Sequence, residues 1–324
     1  MTTSTENAVR DHIVKVNDTF GMPNVPDSLV ALGFANDTHP LIPKADENYV
    51  FRRENLNRVL DYLDDPYGKG FFVWGHSGTG KTSMVYQVAS RLNWPVQAVN
   101  GHMKLDFDDL CGCWKMGKDG MEWIYGPLAI AVREGHIFVL NECDRVDPGQ
   151  LVGLHDVLEG HPLKIAGKGD EFIPVHPNFR IMCTANSPGS GDQTGLYAGV
   201  NILDQAFMAR FRTVRVHYPS IEVEDELLAR KSPDIPSSIR TKMITFANII
   251  RKLFIGDDSS DAQPLTVTMS TRELDLWAHL VLKYRGAPNA YEYALNEVVL
   301  ERTEPEQQTA ILRIAKDVFG DDWS

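Results

Sequence analysis

Cysteine is scarce in this chain: four residues, Cys111, Cys113, Cys143 and Cys183, among 324. Four thiols are too few to staple a protein of this length, so a disulfide framework is excluded and a reduced, intracellular setting is expected. Basic residues are in deficit, 32 Lys and Arg against 44 Asp and Glu, for a formal charge of −12. That balance argues against a general nucleic-acid-coating surface, while a local basic loop or pore remains open. No apolar run approaches the ~20 residues of a membrane span. The opening, MTTSTENAVRDHIVKVND, lacks the basic start and apolar core of a secretory signal. A cytoplasmic protein without a membrane partner is expected. Behind the C-x-C of Cys111 and Cys113 no second Cys/His pair stands at structural-zinc spacing, so these thiols read as small hydrophobes at a helix end. Internal repeats and low-complexity tracts are absent.

What is there alternates. Short apolar runs of strand length recur at 71–74, 96–99, 137–140, 179–185 and 214–216, most of them separated by helical patterns. After the first run, Met84, Val85, Val88, Ala89 and Leu92 form an apolar stripe at helical spacing. The fold class is α/β, with a parallel sheet covered on both faces. Two hairpins interrupt the alternation, at 113–125 around Gly-Lys-Asp-Gly and at 162–175. Turn-rich punctuation divides the chain into an N-terminal arm or small cap (1–48), an α/β domain (49–218) and a helical domain (219–324). Helical patterns in the last fall near 222–230, 237–254, 270–284, 289–301 and 304–318, and the polar stretch at 256–264, before the third of them, reads as a connector. The 270–284 helix opens on a capping box, Ser270 with Glu273, and lines up Leu274, Trp277, Ala278 and Val281 on one face.

Residues 75–82 read GHSGTGKT, between the first strand and the first helix. Gly75, Gly78 and Gly80 let the backbone curl so that successive N–H groups point at phosphate oxygens. His76, Ser77, Thr79 and Ser83 complete the predicted ATP cradle, Lys81 reaches the β- and γ-phosphates, and Thr82 offers its hydroxyl to Mg²⁺. The strand at 137–140 then ends in Asn141 and Glu142. An aspartate is expected at the first of these, as the magnesium anchor, and Glu142 is the group that polarises the attacking water. Asn141 keeps the size and hydrogen bonds of aspartate without its charge, so ATP binding is expected with turnover slow or dependent on partners.

Beyond the loop, further residues resemble AAA+ ATPases. Thr184-Ala185-Asn186 is similar to their sensor-1 strand end, QAFMARF (205–211) to their arginine-finger segment, and MSTRELDLW (269–277) to their sensor-2 helix. The resemblance makes Asn186, Arg210 and Arg272 catalytic candidates alongside Glu142, with Arg212 and Arg215 competing for the finger. The two hairpins resemble the insertions of the MoxR and chelatase group. RLNWPVQAVN (91–100), GDQTGLYAG (191–199), DTFGMP near 20 and YVFRRENL near 50 are similar to ATPase subunits of aerobic cobaltochelatases, which carry aspartate at the position of Asn141. This resemblance implies a P-loop AAA+ core with a five-stranded parallel sheet of order 5-1-4-3-2, two β-hairpin insertions and a C-terminal helical lid. It also implies Mg²⁺-dependent ATP hydrolysis in a homo-oligomeric, usually hexameric ring that remodels a partner carrying a von Willebrand A-type domain. Trp114, Lys115, Lys118 and Trp123, with Lys164 and Lys168, are the hairpin positions for client contact. A nucleic-acid motor and a slow assembly switch stand as the alternatives.

Overall fold

The computed structural model describes residues 9–191, 197, 199–256 and 265–323. The chain forms two compact units, one drawn from residues 1–46, 53–76 and 81–216, the other from 47–52, 77–80 and 217–324.

In the first unit an antiparallel ribbon, β1 (His12–Lys15) with β2 (Val30–Gly33), precedes helix α1 (Arg53–Asp64). Strand β3 (Gly70–Trp74), helix α2 (Lys81–Arg91) and strand β4 (Val96–Asn100) follow. Then come the hairpin β5 (Gly112–Gly117) and β6 (Gly120–Tyr125), helix α3 (Pro127–Glu134) and β7 (Ile137–Asn141). A second hairpin, β8 (Leu163–Ile165) with β9 (Glu171–Ile173), leads to β10 (Arg180–Ala185) and β11 (Phe211–Arg215).

Five strands form one parallel sheet in the order β11-β3-β10-β7-β4. Numbered within the core, this is the expected 5-1-4-3-2. Every residue of β7 and β10 is buried, as the mainly apolar strands of a sheet covered on both faces are. Helix α1 packs Leu56, Val59, Tyr62 and Leu63 inward at helical spacing. The hydroxyl of Tyr62, fully buried, donates to the Ile181 carbonyl at 2.8 Å and accepts from the Ile181 amide at 3.2 Å. Arg180, 3% exposed, closes the C-terminal end of α1 through Leu63 O at 2.9 Å and Asp64 O at 3.3 Å. The arm lies along α2 and the sheet edge: the Phe34 amide donates to Leu92 O and the Val96 amide to Leu41 O, both at 2.9 Å.

The two hairpins touch each other. Trp114 stands opposite Trp123 across β5 and β6, with ring centroids 5.6 Å apart and nearly perpendicular. Trp114 Nε1 also donates to Gly167 O at 3.0 Å, in the turn of the second hairpin. The expectation that Cys111 and Cys113 share a helix end holds for Cys111, which closes the helical turn Phe107–Cys111. Cys113 instead lies within the ribbon and is exposed, because Gly112, at φ +140°, turns the chain there and opens β5.

The second unit is helical: α4 (Ile221–Lys231), α5 (Ser237–Ile255), α6 (Thr271–Lys283), α7 (Ala290–Val298) and α8 (Pro305–Phe319). Trp277 lies at the centre of its core, with its ring against Phe246 and Phe319 and its Nε1 donating to Tyr291 O at 3.1 Å. The capping box at the start of α6 is formed in both directions, Glu273 N to Ser270 Oγ at 3.2 Å and Ser270 N to Glu273 Oε2 at 2.7 Å. Of the connector at 256–264 only Gly256 is among the described residues. No helix among the described residues is long and apolar enough to cross a membrane.

Candidate functional site

Strands β3, β7 and β10 lie side by side in parallel, so the residues that follow them are delivered to one edge of the sheet. Lys81 at the start of α2 reaches into this cluster. Its Nζ donates to Gly75 O at 2.7 Å, His76 O at 3.0 Å and Asn186 Oδ1 at 3.1 Å. Burial pushes its pKa down to about 8, with Asp144 and Glu142 pulling the other way. Thr82 donates its hydroxyl to Asn141 Oδ1 at 2.9 Å, and Asn141 Nδ2 donates to Asn100 Oδ1 at 3.3 Å. The amide thus turns its acceptor end towards Thr82. Thr184, buried on β10, donates to Asn141 Oδ1 at 3.3 Å and accepts from the Glu142 amide at 3.1 Å. Glu142 has φ +51°, a left-handed conformation that a non-glycine residue holds at a cost of order 1–3 kcal/mol. Its carboxylate is half exposed and pairs with Arg145 Nε at 2.9 Å.

One residue at this edge has no place in the sequence expectation. Asp144, fully buried, accepts the amides of Asn186 at 2.8 Å and Ser187 at 3.2 Å on its Oδ2. Its Oδ1 is buried without a hydrogen-bond partner among the described residues, and burial raises the carboxyl's pKa. Asp144 therefore fixes the height at which Asn186 leaves the sheet. The sequence signal was a second acid two residues after Glu142.

In the second unit the tip of the loop is braced from three sides. Arg52 donates to Thr79 O at 2.8 Å and to His217 O at 2.6 Å, and Tyr218 Oη donates to Ser77 O at 3.0 Å. Gly78 has φ +72°, and a Cβ there would fall 2.1 Å from Ser270 Cβ, so glycine is required on two counts. Arg272 is exposed in the first turn of α6. The turn behind it is locked by a buried ion pair: Arg251 grips both oxygens of Glu224 at 2.8 and 2.7 Å, while Thr271 Oγ1 donates to Glu224 at 2.7 Å and Arg251 Nε to Met269 O at 2.6 Å.

Two hydrogen-bonded pairs, Lys81 with Asn186 and Thr82 with Asn141, thus stand at the same end of the sheet, and the Glu142 amide is tied to the second through Thr184. Ser83 is exposed on α2, and His76 Nδ1 lies 3.0 Å from Tyr197 Oη. The rest of the 191–199 segment lies outside the described residues except Gly191 and Gly199. The finger candidates sit elsewhere on the first unit. Arg210 bonds Glu159 at 2.5 Å and Ala206 O at 2.6 Å. Arg212 pairs with Asp61, and Arg215 lies over the Trp74 ring at 4.7 Å.

The residues fit a nucleoside triphosphate with its magnesium. A half-buried cation lies against carbonyl oxygens that phosphate oxygens outcompete, and the paired oxygens of Thr82 and Asn141 suit an octahedral metal and its water shell. Residues 70–211 match the AAA domain of the dynein-related subfamily, and residues 224–318 match the CbbQ/NirQ/NorQ C-terminal family. The aerobic cobaltochelatase subunit CobS of a Sinorhizobium species is 31% identical over 83% of this chain and 80% of its own. The gas vesicle ATPase GvpN1 of Halobacterium salinarum is 26% identical over 70% and 67%, and the denitrification regulatory protein NirQ of Stutzerimonas stutzeri 27% over 78% and 86%.

Proposed function

We propose, for a chain that belongs to the AAA+ ATPases of the MoxR and cobaltochelatase type, that it works as a ring of identical subunits which bind ATP at their interfaces and remodel a protein partner. The two pairs, Lys81 with Asn186 and Thr82 with Asn141, are the observation that carries the nucleotide half of this reading. ATP with Mg²⁺, when bound, supplies the transferable phosphoryl group and neutralises its charge. Lys81 and the loop amides hold the phosphate oxygens, Thr82 and Asn141 orient the metal's water shell, and Glu142 takes the proton of the attacking water while Asn186 fixes that water's position. Arg210 is the proposed finger. An arginine already engaged on its own subunit's surface is useful to catalysis only at a neighbour's phosphate, and that requirement makes the ring. Arg272 is the proposed sensor-2 arginine.

The hairpins supply the argument for a protein client. Lys164 pairs with Asp170 at 3.0 Å and Lys168 with Glu171 at 2.9 Å, so these two charges are already neutralised. Lys115 and Lys118 are exposed as well, but beside them the hairpins show a set of large apolar side chains, Trp114, Met116, Met121 and Phe172. Such a surface suits a protein partner better than a phosphate backbone. The relatives' names span a chelatase, gas vesicles and denitrification, so the client is not carried by the shared core. A von Willebrand A-type partner is the proposed class.

The test uses Glu142→Gln, which retains ATP. Its mass in solution, by light scattering, rises from subunit to ring on adding ATP and Mg²⁺, while kcat for ATP falls by about 10²–10⁴-fold. A mass unmoved by ATP at concentrations that saturate the site rejects the ring. Asn141 favours a second reading, an assembly switch that hardly turns over. The discriminating measurement is steady-state ATPase of Asn141→Asp, expected to rise about tenfold, equivalent to about 1.4 kcal/mol. An unchanged rate means that Asn141 is not what limits turnover.

A further inference from the structure

We propose that His39, Glu134 and His136 form a binding site for a divalent transition-metal ion of the zinc, cobalt or nickel class, at the end of the sheet away from the phosphate loop. Among the described residues these three bring one ligand atom each to within 4.8 Å of one another. Glu134 is the last residue of α3, Gly135 turns the chain at φ +75°, and His136 immediately precedes β7. His39 comes from the arm, and its ring centroid is 5.0 Å from that of His136. Asn141 closes the same strand, so the two sites stand one strand length apart, ~16 Å for five residues.

Two observations point to a ligand. His136 is only 5% exposed and turns its Nε2 towards the Glu134 carboxylate. Its Nε2 lies 3.6 Å from Glu134 Oε2, too far for a good hydrogen bond and close to the ~3.4 Å that separates two ligands of a tetrahedral zinc. The three residues also line a cavity of about 120 Å³, several times the ~30 Å³ share of one water, which leaves space for an ion and a water on its open position.

The donor set selects the metal. Two imidazoles and one carboxylate suit zinc and its transition-metal neighbours, whereas magnesium and calcium take oxygen-only shells. Two local bonds compete. Arg133 donates to Glu134 Oε1 at 2.9 Å, leaving Oε2 for the ion. His39 Nδ1 accepts the Leu41 amide at 3.2 Å, and ligation by His39 gives up that one long hydrogen bond. Binding would close the ligand atoms by about 1 Å, within reach of side-chain rotation, and would tie the arm to the turn before β7.

The full chain, stripped of metal and free of nucleotide, is titrated with CoCl2 alone while visible ligand-field absorption is recorded, then challenged with ZnCl2. One equivalent of cobalt with intense bands, displaced by zinc, is the expected result. His39→Ala and Glu134→Gln should each weaken binding by at least about tenfold while leaving ATP binding unchanged. His136→Ala removes a buried ring and risks the fold, so the half-buried His39 carries the test. No saturable band overturns the proposal. So does a band of unchanged affinity in His39→Ala, and so does one that survives in His39→Ala and vanishes in Cys113→Ser, which would place the ion on the exposed thiol.

Discussion

Held among the carbonyls of Gly75 and His76 and the amide oxygen of Asn186, the Lys81 amine is the group proposed to set nucleotide affinity. Its pKa of about 8 in the free protein sets a pH dependence. Below that value the amine is already charged and binding ATP needs no proton. Above it, the phosphate oxygens raise the pKa again and the complex must take up a proton, so affinity falls about tenfold per pH unit. Calorimetric titration at about pH 7 and about pH 9 checks this, and equal dissociation constants would mean that Lys81 stays fully charged in the free protein. Lys81, Thr82 and Glu142 were legible in the sequence because their chemistry lies in contiguous motifs. Asp144 was not, because its function is to hold an amide 42 residues away, which no local pattern records. His39 escaped for the same reason: metal-site patterns are read by spacing, and this cluster joins the arm to a turn far along the chain.

Among the elements, the order of helices and strands followed from periodicity, but the pairing of strands came from resemblance alone. Nothing in the run at 71–74 says that it will lie between 182–185 and 211–215. Equally invisible were the buried polar ties, Tyr62 to β10 and Arg180 to the end of α1, since an arginine in an apolar run gives no sign of which carbonyls it will find. The ion pair of Glu224 and Arg251 is the largest of these ties in the helical unit, with side chains 0% and 3% exposed. Glu224→Ala strands a buried guanidinium and should cost about 3–5 kcal/mol, read from urea unfolding of the helical unit. A cost below about 1 kcal/mol would mean that water reaches Arg251 once its partner is gone. Because Thr271 also bonds Glu224, the same variant should loosen the first turn of α6, which carries Arg272.

For the whole molecule the decisive question is whether a site is completed in trans. Arg210→Ala should lower kcat by about 10³–10⁵-fold and leave ATP affinity intact. Mixing Arg210→Ala subunits, whose Glu142 is sound, with Glu142→Gln subunits, whose arginine is sound, should restore part of the rate. Mixtures as inactive as either parent would assign the finger to Arg212 or Arg215, or place no arginine across an interface. A second consequence for the intact chain comes from the arm. The bond from Val96 to Leu41 covers part of β4, the outermost strand on that side of the sheet. A protease or a shortened gene that removed the first 44 residues would leave that rim unpaired, and unpaired rims recruit one another. The expected product is a protein that aggregates, read as the soluble fraction after centrifugation; a shortened chain that stays in solution would mean that the arm is not what guards this edge.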